Sequence, residues 1–223
     1  MQELYFSLTI RQTMPETVMR RIIVVGCQGS GKTSLALKLG RKLSLPVVHL
    51  DVLYWRPGWK ESDKASFRAR VADAVAGEGW VVDGSFSGLA FDLTLARADT
   101  LIVIERPRWL CLWRIAWRSA FGRETTRPDL PEGCPEQFDW NLMRDAWRYN
   151  ADRRPRIETE RLKYGAQISV VRLSSDREID EFIRCQLTGD VMHWGNTCCR
   201  LRGTRCGAPF RQAIGLLEGS RSQ

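Results

Sequence analysis

Residues 22–33, reading I-I-V-V-G-C-Q-G-S-G-K-T, constrain this chain more than any other stretch. Ile22 to Val25 form a short β-branched run, the mark of a buried strand. Gly26, Gly31, Lys32 and Thr33 then occupy the fixed places of G-x-x-x-x-G-K-T, and Leu35, Leu39 and Leu43 recur at helical spacing. Strand, glycine loop and helix in that order turn a string match into a phosphate-binding loop. The glycines let successive backbone N–H groups point inward at phosphate oxygens. The helix behind them offers its unpaired N-terminal N–H groups and the positive end of its dipole to the same anion. Lys32 supplies a mobile charge for β- and γ-phosphates, and the Thr33 hydroxyl is placed to ligate Mg²⁺. Gly26, Cys27, Gln28, Gly29, Ser30, Gly31, Lys32, Thr33 and Ser34 are thus the expected cradle for ATP with Mg²⁺. Within it, Cys27 reads as a small spacer whose side chain points away from the anion.

The rest of the chain repeats the strand–helix alternation. Val47 to Leu50 predict a second strand ending at Asp51, and Trp80 to Val82 a third ending at Asp83. Open α/β sheets place ligands at the carboxyl ends of their strands, which makes Asp51 a candidate for the substrate side. Asp83 reads as the outer-sphere partner of Mg²⁺, against the alternative of an Asx-turn residue. His49, inside an apolar strand, reads as a satisfied core histidine. Tyr54, Trp55 and Trp59 surround a Pro57-Gly58 turn, where they either plug the core edge or wall a substrate pocket. Ser62 is the expected cap of a helix carrying Phe67, Val71 and Ala74, with Gly77 ending it.

Residues 100–104 predict the fourth strand, and Pro107 suits the first turn of the next helix. Trp109, Trp113 and Trp117 recur there at four-residue spacing and read as core packing rather than as a stacking platform. Arg114 and Arg118 share a neighbouring face, from which they reach forward to phosphates. Residues 120–136 lose periodicity and fill with glycine and proline, giving a lid over about 119–137. From Arg106 to Arg156 there are eleven arginines, no lysine and seven acidic residues. Surface pairing accounts for part of that charge. Arginine is also suited to bidentate phosphate contact, so Arg118, Arg123 and Arg127 are the candidate lid catalysts. Helices are expected over 137–150 and 154–164, a fifth strand over 168–173, and a last helix opened by a Ser175/Glu178 capping box.

The flanks carry less. Residues 1–18 form an N-terminal extension, the working domain spans 19–187, and 188–223 form a basic tail expected to be disordered. His193, Cys198, Cys199 and Cys206 match no standard zinc spacing. Seven cysteines, an odd number at irregular spacing, argue against a disulfide framework. No apolar run approaches the length of a membrane span, and the expected compartment is the cytoplasm. The net charge of +8 suits either a polyphosphate ligand or nucleic acid.

Five β-α repeats with the glycine loop after the first strand give an α/β three-layer sandwich, a doubly wound parallel sheet of the P-loop NTPase class. The stretch from about 19 to 186 resembles nucleotide and small-molecule kinases of the adenylate and shikimate kinase type. More closely, it is similar to the bacterial topology modulation (FlaR-related) proteins. The carriers are G-C-Q-G-S-G-K-T, H-L-D with W-R-P-G-W, W-V-V-D-G-S, R-P-R-W-L-C-L-W-R, and T-R-P-D followed by G-C-P-E. The resemblance implies strand order 2-3-1-4-5 and a mobile lid. It matches Asp51 to the acceptor-site aspartate of small-molecule kinases, and Arg114 and Arg118 to nucleotide-kinase arginines at the base of the lid. The lid holds only Cys134, so arginines stand where zinc-bearing adenylate kinase lids have a metal staple.

Two functions follow. One is a kinase carrying the γ-phosphoryl group of ATP–Mg²⁺ to a small-molecule or nucleotide acceptor. The other is an ATP-dependent regulator that binds DNA through its basic surface. No helix-turn-helix or zinc finger is visible, so such binding would be sequence-independent.

Overall fold

The computed structural model describes residues 19–121, 133–134 and 139–188. The N-terminal extension, most of the expected lid with Arg123 and Arg127, and the tail with its histidine and cysteines lie outside the described residues.

Five strands form one parallel sheet: β1 (Arg21–Gly26), β2 (Val47–His49), β5 (Trp80–Asp83), β6 (Thr100–Ile104) and β7 (Ser169–Leu173). Their spatial order is β2-β5-β1-β6-β7. Counted along the chain without the small hairpin between them, this is order 2-3-1-4-5. Residues in β1, β5 and β6 are buried in unbroken runs, as expected of strands covered on both faces. Alternate side chains feed two cores. Ile23, Val25, Val82, Leu101 and Val103 face α3 (Lys64–Ala74), α4 (Phe91–Leu95), α5 (Arg108–Phe121) and α6 (Trp140–Tyr164). Ile22, Val24, Val81, Ile102 and Ile104 face α1 (Lys32–Leu43) and α7 (Asp176–Thr188). These are the three layers of the sandwich.

The structure departs from the sequence reading at several elements. Leu50 is not in the second strand. It opens a one-turn helix α2 (Leu50–Tyr54), so Asp51 stands on that helix rather than at a strand tip. A hairpin follows, β3 (Trp55–Arg56) against β4 (Lys60–Glu61). Asp63, not Ser62, caps α3, accepting the Ser66 N–H at 2.8 Å. Ser62 is buried and accepts from Arg70 Nη2 at 2.7 Å, and Arg70 also donates to the Leu53 carbonyl. The helix ends at Ala74, before Gly77. The two helices expected over 137–150 and 154–164 are the single helix α6, with Pro155 inside it. Ala146, Tyr149 and Ile157 keep one helical register against the same core, which holds the helix together across a proline that costs about 3 kcal/mol. The capping box keeps its Ser175 half, and only its reciprocal bond shifts by one residue. Ser175 Oγ accepts the Glu178 N–H, while the Glu178 carboxylate reaches the N–H of Ser174 at 2.7 Å.

The largest departure concerns the tryptophans of α5. Trp109, Trp113 and Trp117 do not pack in the core: they are 69%, 57% and 55% exposed. The buried face of α5 is carried by Cys111, Ile115 and Ser119 instead.

Candidate functional site

The glycine loop leaves β1 at Gly26 and enters α1 at Lys32. Two of its glycines have left-handed backbones, Gly29 at φ 77° and Gly31 at φ 95°. At Gly29 the requirement is steric as well, because a Cβ there would lie 2.5 Å from the Cys111 carbonyl oxygen. The loop therefore rests directly on α5. Gly31 occupies the N-cap of α1 and gives no side-chain cap, and no acidic residue stands in the first turn. The positive end of α1 is thus left open toward the loop's concave side.

Arg114 reaches that opening from α5. Its Nη1 is 3.9 Å from where a Cβ on Gly31 would stand, and its Nη2 is 3.5 Å from Asp176 Oδ2 at the start of α7. Asp176 also pairs with Arg106, so one carboxylate steadies two arginines beside the loop. Arg118 sits one turn further along the same helix face and is half-buried. Cys27 turns away from the loop's concave side. Its thiol is buried and lies 3.5 Å from the Ala146 carbonyl of α6. The hydrogen bond with the Cys111 thiol and burial both push the Cys27 thiol up, so it stays protonated and acts as packing.

Asp83 closes β5 and is buried. The register pairs it with Val24 of β1 on one side and His49 of β2 on the other, next to the strand that carries the loop. His49 Nδ1 lies 3.1 Å from Asp83 Oδ2, so the histidine is satisfied, and by the carboxylate expected near the metal. Asp83 Oδ1 is buried without a hydrogen-bond partner among the described residues. An ionised oxygen buried with no donor is costly unless a cation or its water completes it. Among the described residues no three His, Cys, Asp or Glu converge on a metal position. The unpartnered Asp83 Oδ1 would accept a hydrogen bond from a cation's bound water.

Asp51 is exposed in the first turn of α2, two residues beyond the histidine that pairs with Asp83. Of the aromatics after it, Tyr54 and Trp55 both pack against the core. Tyr54 is buried, its ring 5.0 Å from Phe67 and 4.8 Å from Phe86, and it plugs the core edge. Trp55 and Trp59 are half-buried on the hairpin, edge to face at 5.6 Å. Against this hairpin lie Gly133 and Cys134 of the expected lid. The Gly58 N–H donates to the Gly133 carbonyl at 2.9 Å, and the buried Cys134 thiol lies 3.1 Å from the Arg56 carbonyl. Sequence reading missed this contact, as it missed the partnerships of His49 and Asp176.

Comparison with known proteins gives partial matches. No family model matches the chain. A stretch of 71 residues is 39% identical to the shikimate kinase of Syntrophus aciditrophicus (strain SB), and the match spans about a third of each protein, 32% of this chain and 32% of that one. Among solved structures, a gluconokinase from Sinorhizobium meliloti 1021 aligns at 17% identity and TM-score 0.47, over 76% of this chain and 90% of that one. Shikimate kinase from Acinetobacter baumannii, in complex with shikimate, aligns at 13% identity and TM-score 0.47, over 78% and 97%. The chain's own strand order and layers make it an α/β three-layer sandwich with a glycine loop after β1. The finer likeness to topology modulation proteins rests on the quoted motifs alone.

Two further features bound the site. A cavity of about 210 Å³ between the loop after β5 and α6 is lined by Ser87, Asp145, Arg148, Asp152, Arg153 and Arg156, and includes none of the expected site residues. Many arginines outside the loop region are engaged. Arg148 pairs with Asp152, Arg153 with Asp145, Arg154 and Arg172 with Glu105, and Arg161 with Glu158. No helix among the described residues is long and apolar enough to cross a membrane.

Proposed function

We propose that the chain is a phosphotransferase that moves the γ-phosphoryl group of ATP to a hydroxyl of a small-molecule acceptor. The observation that carries this reading is what stands at the carboxyl ends of the adjacent strands β1 and β5: an α1 N-terminus without a side-chain cap, Arg114 beside it, and the buried, half-satisfied Asp83. The partial likeness to a shikimate kinase supports the same reaction class. In this reading the backbone N–H groups of residues 27–33 hold the β- and γ-phosphates, and Lys32 neutralises charge as the γ-group departs. Mg²⁺, when bound, would supply further charge neutralisation. Thr33 would ligate it, and Asp83, oriented by His49, would hold its water.

Arg114, steadied by Asp176, approaches the phosphates from the side of α5. Arg118 with Arg123 and Arg127 would complete a cationic cover. Asp51 is assigned the acceptor: it orients the attacking hydroxyl and accepts its proton. Ser34, exposed after Thr33, closes the cradle. The acceptor sits between Asp51, Trp55, Trp59 and the Gly133–Cys134 segment docked on the hairpin. The alternative of non-specific DNA binding gains nothing from the surface arginines, because the ion pairs above neutralise much of their field locally. The test is ATP consumption by the full chain with Mg²⁺ against panels of sugars, sugar acids, hydroxy acids and nucleosides, with Lys32→Ala as the blank. Acceptor-dependent turnover absent in the blank is expected. Acceptor-independent hydrolysis alone, or equal turnover in Lys32→Ala, would sink the proposal.

A further inference from the structure

Helix α5 is apolar on two opposite faces. Cys111, Ile115 and Ser119 are buried against the sheet, and Arg114 and Arg118 occupy one edge. The outward half carries Trp109, Trp113, Trp117 and Phe121, flanked by Ala116 and Ala120, and Arg114 and Arg118 lie off it on the edge. Phe121 is 69% exposed, like Trp109. The rings are already arranged side by side: Trp113 and Trp117 stack at 5.6 Å, and Trp117 meets Phe121 at 4.3 Å. A helix that is hydrophobic nearly all round belongs in an interior, and a contiguous exposed patch of this kind marks an interaction surface.

We propose that this face is a homodimer interface, with α5 of one chain packed on α5 of a second copy. The area argument favours a second copy. Aromatic side chains bury about 150–250 Å² each, so four of them at these exposures offer roughly 500 Å². Doubled by a two-fold axis, that is about 1,000 Å², the lower bound for a specific interface, before the alanines and leucines of the same face are added. The pattern also has the anatomy of an interface: an uncharged aromatic centre, with Arg108 at the margin, its guanidinium 5.0 Å above the Trp147 ring. A lipid-facing helix would line its margin with free basic residues. Here the marginal Arg114 turns to the glycine loop and Asp176.

Sedimentation velocity of the full chain from about 1 to 100 µM tests this, because an interface of this size dissociates in the micromolar range. A dimer–monomer equilibrium is expected, and Trp117→Glu is expected to weaken it at least 100-fold while circular dichroism stays unchanged. Leu162→Glu, on an exposed apolar residue of α6, is the control and is expected to leave dimerisation intact. A wild-type monomer throughout, a Trp117→Glu dimer of undiminished affinity, or a monomer that floats with phosphatidylglycerol vesicles would each overturn the proposal. If circular dichroism shows Trp117→Glu unfolded, Trp113→Ser is used, with the same expected loss. Because the readout is mass, the outcome is independent of any phosphotransfer.

Discussion

Replacing Gly29 by alanine separates backbone strain from steric displacement at the phosphate loop, and the structure supplies its own controls. Gly88 has φ 82° and no atom within 4 Å of an added Cβ, so Gly88→Ala meets only the left-handed penalty of about 1 kcal/mol. Gly31 has φ 95°, and its nearest neighbour is the flexible end of Arg114 at 3.9 Å, so it too meets strain alone. At Gly29 the same strain comes with a Cβ 2.5 Å from the Cys111 carbonyl oxygen, and reaching ordinary contact at 3.4 Å requires the loop and α5 to part by about 0.9 Å. Strain plus overpacking places the loss near 3 kcal/mol, or about 6–12 °C in melting temperature for a chain of this size. A displacement near 1 Å at a positioned phosphate is also worth about 10²-fold. Urea melts and titration with a fluorescent ATP analogue measure both. Gly29→Ala is expected to be the least stable of the three and to bind nucleotide about 100-fold more weakly. Gly29→Ala with the stability of Gly88→Ala and unchanged nucleotide affinity would show that the loop does not rest on α5 as described.

Asp83→Asn is expected to raise the Mg²⁺ concentration needed for nucleotide binding by about 10- to 100-fold. An unchanged Mg²⁺ titration assigns the role to another residue. Asp51→Asn is expected to lower turnover by about 10²- to 10⁴-fold with ATP affinity retained, and equal losses in both would move Asp51 into the metal site. Arg68 grips Asp92 through two hydrogen bonds of 2.7 and 2.8 Å, and this holds the Asp92 carboxyl below the usual carboxylate range. A folded-state value that is depressed gives stability present above the unfolded value and lost as pH falls through the folded one. Asp92→Asn should therefore cost about 1 kcal/mol at pH 7, a value discounted for the partial exposure of the pair, with the difference shrinking as the medium is acidified below about pH 4. Urea melts at both pH values check it, and a difference that does not change with pH would mean the bridge acts through packing rather than charge.

What was legible in the sequence shares one physical trait: it is local. The runs Ile22–Val25, Trp80–Val82 and 100–104 are long enough and apolar enough to be buried on both faces, and the glycine loop is fixed by spacing alone. What was not legible joins residues far apart. His49 meets Asp83 across 34 positions, Arg106 meets Asp176 across 70, and Cys134 meets Arg56 across 78. No window of pattern contains both partners. The cap of α3 was misplaced by one residue because Ser62 and Asp63 are both good caps. The choice was made by Arg70, eight positions on from Ser62, whose guanidinium claims the Ser62 hydroxyl. In α6 the expected break at 151–153 is absent, and the penalty of Pro155 is smaller than the burial gained by keeping Ala146, Tyr149 and Ile157 on one face.

The tryptophans of α5 show a different limit. Periodicity reports that a helix has an apolar face, but it does not report what that face meets. For a helix with one apolar face the distinction rarely matters, since that face turns to the chain's own core. On α5 the residues at 111, 115 and 119 already form such a face, and they are smaller than the tryptophans. The carboxyl end of the sheet under α5 is also where the glycine loop must lie, with the Cys111 carbonyl close enough to Gly29 to exclude a Cβ. Bulky indoles on that side would lift the helix off the loop and carry Arg114 away from it. The requirement for close contact at the phosphate site thus puts small residues inward and leaves the large rings outside. Any burial they achieve must then come from something beyond the described core. The same helix that positions a candidate phosphate contact on one edge thereby offers an association surface on the other, which is why a mass measurement and a nucleotide titration on α5 variants probe separate consequences of one packing constraint.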